Sequence, residues 1–435
     1  MSQGVRIAVL YAAMAAILVV IGLVQSVPLA LQIVNLCLIS AIMALGVNMQ
    51  WGYGGLFNVG VMGFAALGGV AAVLVSEAPR AEAWSAGGLG LLAAGLALVV
   101  TVVVAMQLRK VLPARLRTVG TLVIVLIGYF IVRRLFGPAV DAIEALDPAR
   151  FGNIGGLGLP VVLSWAVGGL FAAGAAWLVA KIALGLRSDY LAIATLGISE
   201  IIIAVLKNED WLARGVKNVS GLDRPVPDAL SLQQAAWFQD LAASVGMGVV
   251  EASTIFVRLA YAAMFLIVLA VLMWLAERAL NSPWGRMMRA IRDNRDAAEA
   301  MGKDVVRRHR QVFVLGSAVV GIAGAMLVSY DGQFTPGTYN PLRYTFLIWV
   351  MVIVGGSGNN WGAILGGFLI WVTWIEAEAL APLAMDWATA AMPDNALADH
   401  LRDTAPHLRL FIMGLVLLVT LRFFPKGLIP EQVRR

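Results

Sequence analysis

Long apolar runs separated by short polar connections make up nearly the whole chain. Runs of spanning length lie at Ile7 to Val24, Val27 to Met49, Leu56 to Val75, Leu89 to Leu108, Thr118 to Phe136, Leu157 to Ala180, Tyr190 to Leu206, Thr254 to Leu275 and Val312 to Tyr330. An interrupted run from Tyr344 to Ile375 and a last one from Leu408 to Phe424 follow. A helix crosses a bilayer core of about 30 Å with roughly 20 apolar residues, so the pattern predicts an all-α, polytopic transmembrane helical bundle of about 10–12 helices. Residues 1–435 form one polytopic membrane domain on this reading. The first run follows a lone Arg6, is too long for the core of a signal peptide and has no small-residue cleavage site before Pro28, so it is expected to stay as a membrane helix.

The run from Tyr344 to Ile375 exceeds one ordinary crossing and is split by Gly355, Gly356, Ser357, Gly358, Asn359 and Asn360. It is expected to form a broken or re-entrant pair, whose freed backbone must be buried in protein or line a water-filled cavity. The amides of Asn359 and Asn360 either face such a pathway or serve a structural turn. Gly358, Gly362 and Gly366 recur every four residues and would leave one helix face bare for close contact. The plain abundance of glycine in membrane helices is the competing explanation. Residues 207–251 read as an outer loop or small cap, and Pro382, Pro393 and Pro406 argue against one long helix between Ala381 and His407.

Composition removes several function classes. The 435 residues are 60% hydrophobic and 13% charged, against about 45–50% and about 25% in soluble domains, which argues against a water-soluble enzyme. The net charge of +6 sits between apolar runs and not along one polar face, so the basic residues read as topology signals and no nucleic-acid partner is expected. With the N-terminus inside, Arg109, Lys110, Arg115, Arg117, Lys181, Arg187, the dense set from Arg278 to Arg310, and Arg422, Lys426, Arg434 and Arg435 all fall inside. Asp141, Glu144, Asp147 and the acidic residues of 207–252 fall outside. Arg133 and Arg134 break the alternation and are expected to snorkel to an interface. One cysteine, Cys37, and three histidines, His309, His400 and His407, scattered on polar connections, offer no disulfide framework and no metal-ligand spacing. No Gly-x-x-x-x-Gly-Lys-Ser/Thr loop is present, so no cofactor is expected on this chain, and the energy source, if it is ATP with Mg, must sit on another chain. Glu200, inside the run from Ile198 to Ile203, needs a partner, a proton or water. A structural pair with Arg258 competes with a role in gating or the pathway.

The most informative segment is Ser282-Pro-Trp-Gly-Arg-Met-Met-Arg-Ala-Ile-Arg-Asp-Asn-Arg-Asp-Ala-Ala-Glu-Ala-Met-Gly302. Met288, Ile291, Ala298 and Met301 fall near helical spacing, which predicts a short amphipathic helix with arginines on its other face. Such a segment is either an interfacial loop that holds topology and binds anionic headgroups or a coupling helix. The order of residues favours the second, because Asp296-Ala297-Ala298 followed by Gly302 resembles the EAA loop of bacterial ABC importer permeases, which docks into a cleft of the ATPase subunit.

The resemblance widens to the permeases of branched-chain amino acid ABC importers. Trp51-Gly-Tyr-Gly-Gly-Leu-Phe-Asn-Val-Gly60 is similar to that family's glycine-rich lead-in to its third helix, and Ser188-Asp-Tyr-Leu-Ala-Ile-Ala-Thr-Leu-Gly-Ile-Ser-Glu200 to its central helix. Val354-Gly-Gly-Ser-Gly-Asn-Asn-Trp-Gly-Ala-Ile-Leu-Gly-Gly367 resembles its late glycine-rich break, and Arg422-Phe-Phe-Pro-Lys-Gly-Leu428 its C-terminal signature. Three departures stand out. Residues 87–150 look like an extra hairpin and outer loop, the outer segment near Ala381 to His407 is long, and Asn58 and Val61 replace the family's usual Ser and His.

The resemblance implies a non-enzymatic permease subunit of an ATP-driven importer working by alternating access in a bacterial cytoplasmic (inner) membrane, with both termini cytoplasmic. Leucine, isoleucine or valine is the implied cargo, with urea or short amides as the related alternative. An ion-coupled secondary transporter is the reading from another class, but such carriers place several carboxylates inside spans. The implied partners are a second homologous permease, two ABC ATPase subunits and a periplasmic or lipid-anchored solute-binding protein. Residues 282–310 become the coupling loop, with Arg286, Arg289, Arg292, Asp296, Ala297, Ala298, Glu299 and Gly302 as ATPase-coupling candidates. Asn58, Gly60, Glu200, Gly356, Gly358 and Asn359 are the candidates for the solute pathway or its gate.

Overall fold

A computed structural model describes residues 2–146, 152–390, 400, 403–404 and 407–431. Each apolar run forms a helix: α1 (Gln3–Val24), α2 (Val27–Asn48), α3 (Val61–Ser76), α4 (Leu89–Val111), α5 (Ala114–Glu144), α6 (Val161–Ala183), α7 (Ser188–Asn208) and α8 (Val249–Leu280). The polar segment that follows contributes α9 (Pro283–Asp293) and α10 (Arg295–Ala300). Then come α11 (Val305–Asp331), α12 (Pro341–Gly355), α13 (Asn360–Thr389) and α14 (Leu408–Phe423). Nine helices among the described residues are long and apolar enough to cross a membrane, and α3 and α12 are shorter apolar helices beside them. The chain is thus an all-α, multi-pass bundle. Its described strands are β1 (Val219–Ser220) and β2 (Gln333–Phe334), a two-residue antiparallel clasp.

The core sits on α11, which packs against α2, α3 and α6, while α2 also meets α8, α12 and α13. These contacts are close because they run through glycine. A Cβ at Gly68 would lie 1.9 Å from the Gly321 carbonyl oxygen, and one at Gly324 would lie 2.0 Å from that of Ala65. Backbone meets backbone there, and dispersion over matched surfaces holds helices together where lipid supplies no hydrophobic drive. α4 and α5 form a hairpin largely packed on itself. Only 6% of its most apolar stretches is buried, against 78% in α2. Gly87, just before α4, lets its two arms close up, since a Cβ there would lie 2.3 Å from the Ala139 carbonyl, and the Phe136–Trp211 edge contact at 5.5 Å joins the hairpin to the rest.

Several expectations need correction, though the snorkelling of Arg133 and Arg134 is not among them. They lie inside α5, roughly 30 Å along its axis from Ala114 at 1.5 Å per residue, which brings them to the far edge of the apolar layer. Asp141 and Glu144 belong to the last turns of the same helix. α13 runs through Pro382 to Thr389 without stopping, while Pro393 and Pro406 lie outside the described residues. His309 is buried within α11 and not on a polar connection. The glycine stripe also differs: Gly358 sits in the turn with φ +79, and the close face pairs Gly355 of α12 with Gly362 and Gly366 of α13. Because Gly366 also abuts the Met351 carbonyl, α12 and α13 are an antiparallel hairpin with a tight turn at residues 356–359.

Candidate functional site

The turn between α12 and α13, the lead-in to α3, the segment from α9 to α10 and the described ends of the chain all gather at one end of the bundle, termed the basic end. α9 starts where Ser282 accepts a hydrogen bond from the Trp284 N–H at 3.2 Å, with Pro283 in the first turn, where a missing N–H costs nothing. Met288 and Ile291 face inward and are buried, and the Trp284 indole donates to Gln311 of α11 at 3.0 Å. The segment is not one helix. Asn294, at φ −154, breaks it and caps α10 by accepting from the Ala297 N–H at 2.9 Å. α10 therefore points its own way, and Met301, expected on the buried face, is 78% exposed. Gly302 ends α10 with φ +74, a conformation open to glycine and strained for most other residues.

The arginines divide. Arg286 is exposed and Arg289 half-buried, whereas Arg292 turns inward. Its guanidinium donates to the Gly52 carbonyl and pairs with Glu431 at 2.9 Å and with Asp293 at 3.0 Å. Partial burial opposes its charge, but hydrogen bonds and negative charge from Glu431 and Asp293 outweigh that and raise its pKa. Asp296, Ala297 and Glu299 are exposed, Ala298 is half-buried, and Arg295 pairs with Glu299 at 3.1 Å.

Two amide networks lie just inside the basic end. Gln50 donates to the Phe313 carbonyl at 2.8 Å and to Ser317 at 2.9 Å, and accepts from Asn58 at 2.8 Å. Asn58 in turn accepts from the Gly60 N–H at 2.9 Å, and its carbonyl accepts from Trp349 at 3.0 Å. Asn48 donates to Asn360 at 3.0 Å, Asn360 donates to Glu277 at 2.9 Å, and Asn48 accepts from the Gly358 N–H at 2.9 Å. Asn58 and Asn360 are each 1% exposed. Their capacity is taken up by the chain itself, as buried polar groups require, and neither faces an open pathway.

A model of the permease component of branched-chain amino acid transport systems matches residues 142–421, well over half of the chain. The chain belongs to this family. It is 25% identical over 297 residues to a probable branched-chain amino acid transport permease protein LivM of Methanocaldococcus jannaschii, covering 68% of this chain and 73% of that one. It is 28% identical to the high-affinity LivM permease protein of Escherichia coli over 53% of this chain and 54% of that one. The Salmonella typhimurium counterpart is 29% identical over the same shares. The chain thus spans about half the length of the two enterobacterial relatives it matches. No solved structure matches it. It is a multi-pass membrane permease subunit, of a family whose role is transport and not catalysis.

Within this permease the candidates fall into two places. Arg286, Arg289, Arg292, Gly358 and Asn359 line one open cavity of ≈ 640 Å³ at the basic end, along with Glu277 and Glu431. Gly356, at φ +121, abuts the Ile429 carbonyl and belongs to the same turn. Asn58 and Gly60 lie deeper. Gly60 is held against α7, because its Cβ would lie 2.4 Å from the Thr195 carbonyl. Glu200 joins neither group. It is exposed near the middle of α7 with no ion pair among the described residues, and the expected Arg258 pair is absent because Arg258 donates to the Pro28 carbonyl. Sequence reasoning missed Gln50, Thr195, Ser199 and Ser317. Thr195 and Ser199 accept from the Val59 and Gly63 N–H groups at 3.0 and 2.8 Å. Their spacing of four inside the run from Ser188 to Glu200 was the available signal, since it puts both hydroxyls on one helix face.

Proposed function

We propose that this permease moves branched-chain amino acids inward across the cytoplasmic membrane as one of two homologous membrane subunits driven by two ABC ATPase subunits and fed by a solute-binding protein. The observation that carries this reading is the pair α9–α10, a basic projection standing off the end of a glycine-packed spanning bundle, in a chain of this family. The basic end is the cytoplasmic one, which the excess of Lys and Arg in its connections supports. There α10 and the outward part of α9 meet the ATPase, while Arg292 faces the bundle. We read both termini as cytoplasmic, a reading supported by Gln3 and Glu431 bordering one cavity at this end.

The exposed position of Glu200 supports a location for the solute path. An ionised carboxylate held in lipid at the middle of a span costs about 2.5–3.5 kcal/mol or more. The α7 face that shows Tyr190, Ile193 and Glu200 is therefore not a lipid face. It meets the second permease and lines the path between the two, where Glu200 faces the ammonium of a zwitterionic solute. Glu200→Gln is expected to lower uptake at least tenfold without moving the Tm. Uptake at the unaltered rate would remove Glu200 from the path.

The test of the whole reading is purification of the tagged protein from its native membrane with mass spectrometry of what accompanies it, followed by uptake in proteoliposomes. Recovery of a P-loop ATPase and a second permease is expected, with ATP-dependent uptake of leucine, isoleucine or valine. ATP-dependent uptake of urea or acetamide alone would shift the cargo. A chain that purifies alone and carries solute on an ion gradient would overturn the reading.

A further inference from the structure

The last described residues are drawn into the basic end. The N–H groups of Leu428 and Ile429 donate to the Val354 and Gly355 carbonyls at 2.8 Å each, closing the C-terminus of α12. The Pro430 carbonyl accepts from Asn359 at 3.1 Å and from Gln3 at 3.0 Å. Glu431 then meets Arg292 through both carboxylate oxygens, at 2.9 and 3.3 Å. Around this pair the backbone comes in without side chains. A Cβ at Gly55 would lie 3.2 Å from the Arg292 Cγ, and one at Gly358 would lie 2.8 Å from the Glu431 carboxylate and 3.2 Å from the Arg292 guanidinium. One guanidinium on α9 thus touches three segments far apart in sequence: the lead-in to α3 through Gly52, the α12–α13 turn beside Gly358, and the tail through Glu431.

Each contact ends close to a buried amide network. Gly52 is two residues from Gln50, which holds Asn58 and Ser317, and the Gly358 N–H is fixed by Asn48, which holds Asn360. Gly55, Gly356 and Gly358 all have positive φ, so both segments turn at residues able to absorb backbone rotation. Arginine suits such a junction because its planar fork satisfies a carboxylate bidentately and still donates to a carbonyl, which lysine cannot do in one geometry.

We propose that Arg292, with Glu431 as its strut, is the positioning residue that converts movement of α9 into simultaneous movement of the α3 lead-in and the α12–α13 turn, and so opens and closes the amide networks at the cytoplasmic end. The inference rests on the importer reading above. Its distinguishing consequence is that breaking the junction uncouples the machine and does not disassemble it.

The test uses the complete importer in proteoliposomes, with ATP hydrolysis and uptake measured on the same vesicles. Arg292→Lys and Glu431→Gln are expected to keep the ATPase bound and at least half of the hydrolysis rate while uptake per ATP falls at least tenfold. The ratio of uptake to hydrolysis is the readout that a merely structural contact would not move, since loss of folded complex lowers both together. An unchanged ratio in both single variants overturns the proposal, as does loss of bound ATPase in proportion to uptake, which would make Arg292 a docking residue. A wild-type complex with no ATP-dependent uptake would overturn the importer reading and the link with it.

Discussion

Gly321→Leu is expected to leave no stably folded permease in the membrane. A Cβ at Gly321 would lie 2.5 Å from the Gly168 carbonyl oxygen, and Gly321's own carbonyl already stands 1.9 Å from where a Cβ on Gly68 would be. α3, α6 and α11 therefore meet at this point backbone to backbone, and no rotamer change can make room. Overpacking a side-chain core costs about 1–3 kcal/mol. Here the three central helices must part, and the dispersion attraction that weakens as they separate is the main force holding membrane helices together. Against a total stability of about 5–15 kcal/mol, that is enough to unfold the domain. Gly174→Leu in α6 and Gly95→Leu in α4 are the controls, since a Cβ at either position meets nothing within 4 Å. Size-exclusion profiles and Tm in detergent decide the matter. A monodisperse Gly321→Leu protein with the wild-type Tm would show that the three-helix junction is looser than its geometry.

Helix number and position were legible because membrane helices announce themselves by length: Ile7–Val24 and Leu408–Phe424 differ from α1 and α14 by a few residues. Which helices are central was not legible. The apolar windows of α2 and α4 have mean hydropathies of 2.2 and 2.6, yet one is 78% and the other 6% buried. Lipid and protein interior are equally apolar, so hydropathy separates neither face from the other. Glycine carries the missing information, but only in pairs: Gly68 with Gly321, and Gly355 with Gly366, are contacts between helices remote in sequence. The site shows the same limit. The basic segment from Ser282 to Gly302 was readable as a unit, whereas the inward turn of Arg292 depends on Glu431, 139 residues away. The break at Asn294 was readable too, since asparagine is a preferred cap, but the apolar spacing of Met288, Ile291, Ala298 and Met301 masked it. Glu200 and Arg258 were paired on charge alone, and Arg258 found a nearer carbonyl acceptor at Pro28.

Ala298→Glu is expected to abolish capture of the ATPase subunits while leaving the permease folded. Ala298 sits in the middle of α10, flanked by exposed Asp296, Ala297 and Glu299, and α10 has no buried residue of its own. Changes on such a surface usually move stability by about 0.5 kcal/mol or less, so the Tm should hold. A docked helix is another matter. The added side chain stands where a partner's cleft must close on a methyl group, and its carboxylate joins Asp296 and Glu299 on a six-residue helix, so binding loses both shape and charge balance. A loss of 100-fold or more in affinity corresponds to about 2.7 kcal/mol. Gly302→Asp should act through the turn instead: at φ +74 an aspartate is tolerated better than most residues but still strains the exit from α10 and re-aims it. Retained ATPase and full uptake in Ala298→Glu would move the docking face elsewhere on the basic end, to Arg286 and Arg289. Loss of the ATPase with an unchanged Tm fixes the division of labour inside residues 282–302, with α10 gripping the motor and the inward face of α9, through Arg292, gripping the bundle.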